Sequence, residues 1–261
     1  MAPRVLVTAA LPYANGSIHL GHMLEFVQTD VYVRARKLAG DDVVFMWADD
    51  THGTPIQLRA MREGISPEAL IERAYHEHVA VFDDFAIGYD IFHSTHSPEN
   101  RKHAEHIFNT MNAKGDISSR SVAQFYCPVD TMFLPDRFVK GTCPKCDAAD
   151  QYGDNCESCG TTYEPTELKT PYCAVCHDKG THTVPEVRDS EHLFVPLDRH
   201  KEFLLGWLGE DGATSGTAIQ SSVRNYLLNW VEDLKDWDIS REAPYFGFEI
   251  PGHPGKYFYV W

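Results

Sequence analysis

No run of about 18 consecutive apolar residues occurs in the 261-residue chain, so the sequence offers no candidate for a membrane-crossing helix. Basic residues are scarce. Lysine and arginine total 23, of which 10 are lysine, against 38 acidic residues, giving a formal net charge of -15. The basic footprint by which nucleic-acid binders hold phosphate backbones is therefore missing. A signal-peptide pattern is missing as well: Met1-Ala2-Pro3-Arg4-Val5-Leu6-Val7-Thr8 runs straight into a strand-like segment. The chain is accordingly expected in the cytoplasm, where thiols stay reduced and cysteines serve metals rather than disulfides. The remainder is ordinary for folded protein, with 43% hydrophobic and 23% charged residues, enough for one or two domains.

Six of the seven cysteines fall in three C-x-x-C pairs. Cys143-Pro144-Lys145-Cys146 and Cys156-Glu157-Ser158-Cys159 are nine residues apart, a spacing that brings four thiolates into the tetrahedral set of a structural zinc site. Cys173-Ala174-Val175-Cys176 has no second cysteine pair. Cys127-Pro128-Val129-Asp130 has the same spacing with an aspartate in the last place, and zinc accepts carboxylate oxygen. These two halves flank the first set and predict a second zinc, with His177 as rival fourth ligand.

Periodicity divides the chain. Arg4–Ala10 is a short apolar run suited to a buried parallel strand, followed by the turn-forming loop Pro12–Ser17. Met23, Phe26, Val27, Val31 and Leu38 recur at helical spacing from about His19 to Ala39, and Val43–Trp47 is a second buried strand. Ser66-Pro67-Glu68 and Ser97-Pro98-Glu99 open helices running to about Phe85 and Lys114. Strand and helix alternating through short joins predict a doubly wound parallel α/β sheet. From Gly115 to about Asp189 helical periodicity gives way to Gly, Pro, Cys, Thr and Asp, a texture too poor in apolar residues for a core without metal. Helical patterns return near 198–209 and 218–233, and Trp237–Trp261 is aromatic and strand-like, ending inside an apolar run as a truncated chain would.

The densest chemistry lies at the first loop. His19 and His22, three apart at a predicted helix start, project from one face of the first turn, where free N–H groups and the helix dipole attract phosphate. Gly21 between them leaves room for a ligand to approach the backbone. Two further readings remain open at this point: a metal-organised RNA-binding module without catalysis, and a nucleotidyltransferase acting on small molecules.

His19-Leu20-Gly21-His22 resembles the HIGH signature of class I aminoacyl-tRNA synthetases. The longer string Leu11–Met23 resembles the methionyl group of that family, as do Ala48–Pro55, His93–Ser97, Phe133–Cys146 and Trp237–Arg241. The resemblance implies a Rossmann-like doubly wound sheet with an inserted zinc-binding connective domain. Residues 1–115 would hold the first half of the catalytic domain, 116–235 the insert, and 236–261 a return to the catalytic domain. The implied activity is methionine–tRNA ligation: methionine attacks the α-phosphate of magnesium-bound ATP, and the acyl group then moves to the 3′ end of tRNA(Met). The resemblance assigns catalysis to His19 and His22, and ATP contacts to these together with Pro12, Tyr13, Asn15, Gly16 and Gly21. It assigns methionine contacts to Leu11, Tyr13, Asp50, Arg241 and Trp261, with Asp49 in reserve for Asp50. The family's KMSKS half is missing from this chain, which is therefore expected to be inactive alone.

The acidic balance admits two explanations, salt adaptation of the whole protein or an acidic half balanced by a basic domain elsewhere. At about 1 M salt the Debye length shrinks to about 3 Å and carboxylate repulsion fades. Salt adaptation predicts a thermal midpoint that climbs steadily with KCl into the molar range. A midpoint already flat above about 0.1 M would leave the second explanation.

Overall fold

A computed structural model describes residues 4–209, 219–232 and 234–259. Two compact units emerge, one comprising Met1–Ala104 with Glu242–Glu249 and the other Glu105–Arg241 with Ile250–Trp261.

In the first unit β1 (Arg4–Val7) is followed by α1 (Leu20–Leu38), β2 (Asp42–Asp49), α2 (Thr54–Glu63), α3 (Pro67–Asp84) and β3 (Ile91–Ser94), and α4 (Pro98–Lys114) begins here. The strands form one parallel sheet in the order β1-β2-β3, with Val5 opposite Val43 and Trp47 opposite Phe92. β2 alternates exposed and buried residues, so it hides one face rather than two. That face, Val43, Phe45 and Trp47, packs with Val7 and Phe92 against Met23, Phe26 and Val33 of α1 and Phe82 of α3. Phe26 and Trp47 meet edge to face at 4.3 Å. A second cluster joins Ala14, Ile56 and Ala60 to Leu70, Ile71, Ala74 and Phe246.

Local chemistry sets the ends of these elements. The Ser66 Oγ accepts the Ala69 N–H at 3.1 Å ahead of Pro67, and the Ser97 Oγ accepts the Asn100 N–H at 3.3 Å ahead of Pro98. β1 is shorter than the apolar run suggests: the Ala10 N–H leaves the ladder for the Glu25 carboxylate at 2.6 Å. Helix α2, which the apolar pattern does not announce, starts at Thr54-Pro55 and stops at Gly64 in the left-handed region.

The second unit is built on two long antiparallel strands, β4 (Ser118–Cys127) and β9 (Glu186–Val195). Between them run β5 (Met132–Phe133), β6 (Val139–Thr142), β7 (Gln151–Tyr152), β8 (Lys169–Cys173) and the one-turn α5 (Ala174–Asp178); after them come α6 (Lys201–Leu208), α7 (Ser221–Glu232), β10 (Trp237–Asp238), β11 (Ser240–Glu242) and β12 (Lys256–Phe258). Sheet orders are β10-β9-β4-β5, β7-β6-β8 and β11-β12. The cysteine-rich stretch is less apolar-poor than its texture suggests, because Phe125, Leu134, Phe138, Val139, Leu168 and Val175 are all buried. Among its described residues the final aromatic stretch is mostly loop and turn, with three short strands rather than one long one.

Candidate active site and metal centres

β1–β2 pairing does not stop with the strands. After β1 the chain returns beside the end of β2 and forms one more parallel bridge, Tyr13 with Asp50. The Asp50 N–H donates to the Pro12 carbonyl at 2.9 Å, and the Ala14 N–H donates to the Asp50 carbonyl at 2.8 Å. The Arg59 guanidinium donates to the Asn15 carbonyl. Pro12–Gly16 is thereby stitched to the carboxyl end of β2, where open α/β sheets place their ligands.

His19 caps α1. Its Nδ1 accepts the Gly21 N–H at 3.1 Å, and the His22 Nδ1 accepts the His19 N–H at 3.3 Å. The rings stack with centroids 3.7 Å apart. Since each Nδ1 accepts, the donor left to each ring is its Nε2–H. Burial, then the neighbouring His19, holds the His22 pKa below its ordinary value, consistent with a neutral ring. Gly21 has a tighter reason than ligand access: a Cβ there would lie 3.0 Å from the His19 ring. The motif is therefore a self-bonded cap that leaves each ring its Nε2–H as donor.

The two adjacent aspartates differ. Asp49 is completely buried, with Oδ1 2.6 Å from the His78 Nδ1, while the His78 Nε2 is 2.9 Å from the Gly16 carbonyl. Burial works against the His78 imidazolium, but the Asp49 hydrogen bond and charge outweigh it and hold the His78 pKa up. Asp50 is half-buried; burial pushes its pKa up and the His52 N–H pulls it down. Asp50 is thus the carboxylate still open to a ligand. Tyr13 is half-buried beside it, and burial with the Asp50 charge raises its phenol. Gly53, at φ +121°, is required here because a Cβ would come 2.9 Å from the Tyr13 Oη. Leu11 is exposed and Pro12 buried.

Arg241 lies on β11 of the second unit. It donates to the Ser240 carbonyl at 2.8 Å, pairs with Asp238 at 3.3 Å and lies over the Tyr259 ring at 3.6 Å. Trp261, expected in the methionine pocket, lies outside the described residues.

Two donor sets in the second unit could each hold a metal ion: Cys143, Cys146, Cys156 and Cys159, and Cys127, Asp130, Cys173 and Cys176, with ligand atoms within 4.8 Å of one another in each set. In the first, the Lys145 and Cys146 N–H groups point at the Cys143 Sγ (3.4 and 3.5 Å), and the Cys159 N–H at the Cys156 Sγ (3.4 Å). Such knuckles favour thiolate, and although burial opposes it they bring the Cys143 pKa down to about 7. In the second, the Asp130 N–H points at the Cys127 Sγ (3.4 Å) and the Cys176 N–H at the Cys173 Sγ (3.5 Å). The Asp130 Oδ2 lies 3.0 Å from the Cys176 Sγ, and its Oδ1 takes the Lys179 ammonium at 2.8 Å. Both donor sets fit a tetrahedral thiolate-rich ion. His177 is outside the second set and packs instead against Tyr172, ring centroids 5.1 Å apart.

Sequence reasoning passed over His78 and the pair His52–His96. His78 was detectable: Leu70, Ala74, His78 and Phe82 recur every four residues on the buried face of α3, and a histidine in such a stripe needs partners. The His52 Nε2 lies 2.9 Å from the His96 Nδ1, beside Phe246 and Phe248, and no short-range pattern joins residues 44 positions apart.

With this geometry in place, comparison with known proteins is informative. The family model described as tRNA synthetases class I (M) matches residues 5–261. The chain belongs to the class I tRNA synthetases, M group. It is 54% identical over 268 residues to the methionine–tRNA ligase of Azoarcus sp. (strain BH72), which covers all of this chain and 36% of that protein. It is also 54% identical over 267 residues to that of Neisseria meningitidis serogroup C, covering all of this chain and 38% of that protein. The chain thus spans little more than a third of these relatives. Its fold matches a Mycobacterium tuberculosis methionyl-tRNA synthetase solved with methionyl-adenylate (TM-score 0.71, 23% identity, 99% of this chain and 45% of that one). Among the described residues no helix is long and apolar enough to cross a membrane.

The His52–His96 pair makes a pH prediction. Burial, then His96, lowers the His52 pKa from 6.5 to about 4, and burial lowers that of His96. A histidine that binds its proton more weakly when folded stabilises the fold above its unfolded pKa and loses that contribution as pH falls toward the folded value. Unfolding free energy is expected to fall between about pH 6.5 and 4, less steeply in His52→Gln. Equal slopes in urea melts of the two proteins would exclude the pair as the cause.

Proposed function

We propose that the protein containing this chain is a methionine–tRNA ligase, in which methionine and ATP give methionyl-adenylate and pyrophosphate before acyl transfer to the 3′ end of tRNA(Met). The observation that carries this reading is the self-bonded His19/His22 cap, two imidazole donors at a helix start beside the carboxyl end of a parallel sheet. In adenylation the methionine carboxylate oxygen attacks the α-phosphate and pyrophosphate leaves, so catalysis consists of positioning and of donors aimed at developing charge. The Nε2–H groups of His19 and His22 supply such donors. Pro12, Tyr13, Asn15 and Gly16 in the loop ahead of α1, and Gly21 in the first turn of α1, are assigned to ATP, which enters with magnesium. Asp50 holds the methionine ammonium by a charge-assisted hydrogen bond. Tyr13 and Leu11 offer aromatic and apolar contact to the thioether, and the resemblance assigns Trp261 and Arg241 to methionine as well.

The two sulfur-rich sets would each take zinc as a structural ion in a connective insert near residues 116–235, between catalytic-domain segments 1–115 and 236–261. Zinc supplies no chemistry to adenylation here; it replaces core that this stretch is too small to build fully. Protein synthesis in the cytoplasm is the setting such a ligase requires.

Methionine-dependent ATP–pyrophosphate exchange by the complete protein tests the reading. His19→Ala or His22→Ala is expected to lower kcat by about 100-fold with little change in methionine KM, because the donors act on charge that develops only in the transition state. A rise in methionine KM alone would contradict the assignment. Metal analysis of protein purified without chelator should give two zinc ions per chain, falling to one in Cys173→Ser; a wild-type ratio of one, unchanged by that substitution, eliminates the second site.

A further inference from the structure

The buried Asp49–His78 pair is not used by the reaction as described, and it is an expensive thing to bury. Leu70, Ala74 and Phe82 occupy the other positions of the same α3 stripe, where an apolar side chain would pack without desolvating a ring and a carboxylate. Stability alone is a poor reason for the pair, all the more so because the buried Asp49 Oδ2 has no hydrogen-bond partner. What the pair does reach is the loop ahead of α1. The Gly16 carbonyl can only accept, so the His78 Nε2 at 2.9 Å must donate, and the Nδ1 is then fixed against Asp49 at 2.6 Å.

We propose that His78, oriented by Asp49, is a positioning residue for the phosphate-binding loop: it holds the Gly16 carbonyl from beneath and so sets the plane of the Gly16–Ser17 peptide. In a trans amide the carbonyl and the following N–H point in opposite directions. Anchoring the Gly16 oxygen on the buried side therefore turns the Ser17 N–H toward the exposed side. That side is open, since Gly16 and Ser17 are exposed and a Cβ built on Gly16 meets nothing within 4 Å. The loop is tied below and clear above, the arrangement needed to present a backbone donor to an oxyanion. The ligand class is the polyphosphate of a nucleoside triphosphate, which rests on the proposed ligase function.

The test uses the complete protein in methionine-dependent ATP–pyrophosphate exchange. His78→Leu, which fills the stripe without a donor, is expected to lower kcat/KM for ATP by about ten- to a hundred-fold while the methionine KM changes less than about twofold. His78→Gln, whose amide can still donate to the Gly16 oxygen, should recover part of that loss. Wild-type ATP parameters in a folded His78→Leu protein overturn the proposal, as does a parallel loss of ATP and methionine affinity. If His78→Leu does not fold, Asp49→Asn is read by the same ATP-against-methionine split, with unchanged ATP parameters overturning the proposal. Absence of exchange in the wild type would overturn the ligase reading and this proposal together, whereas wild-type exchange with unaltered variants overturns this one alone.

Discussion

Everything at the candidate active site depends on one extension of parallel pairing. β1 and β2 part after Val7 and Phe45, yet Pro12–Ala14 comes back to bond with Asp50 as if the ladder had resumed. This one stitch places a loop and a helix start beside the end of β2, which is where the dipole of α1 and the carboxylate of Asp50 both become useful. Without it, the loop would keep only its ties to Arg59 and His78, and a ligand would have to overcome more of its conformational entropy.

The stitch also divides labour between two neighbouring carboxylates. Residues 49 and 50 point to opposite sides of an extended chain. One is therefore committed to the interior and the other is left at the site. The interior one would be a liability if unpaired, and the His78 ring turns it into a connection between α3 and the loop. Chemistry at the surface and order in the core are thus decided by alternation along a single strand.

Much of this was legible in the sequence, for definable reasons. The helix over 20–38 and the strand over 42–49 follow from local periodicity and capping, which are short-range properties. The cysteine knuckles were legible because ligand spacing is itself a geometric constraint. Helix α2 escaped because its apolar face is thin, with charged residues at Arg59, Arg62 and Glu63 and a start set by Thr54-Pro55 rather than by a side-chain cap. The His52–His96 contact escaped because it is purely tertiary. Gly21 is read from the sequence as leaving room for a ligand, and in the structure a Cβ there would also crowd the neighbouring His19 ring at 3.0 Å. A glycine can thus have a purely local cause beside the one its motif suggests.

The two sulfur-rich donor sets of the second unit are nested. Cys146 and Cys156 are 10 residues apart, whereas Cys127 and Cys176, 49 apart, enclose them. Closing the outer loop costs about 1.4 kcal/mol more in chain entropy than closing the inner one. Nesting therefore favours one order of assembly: an inner knot tied first shortens the chain that the outer clasp must close.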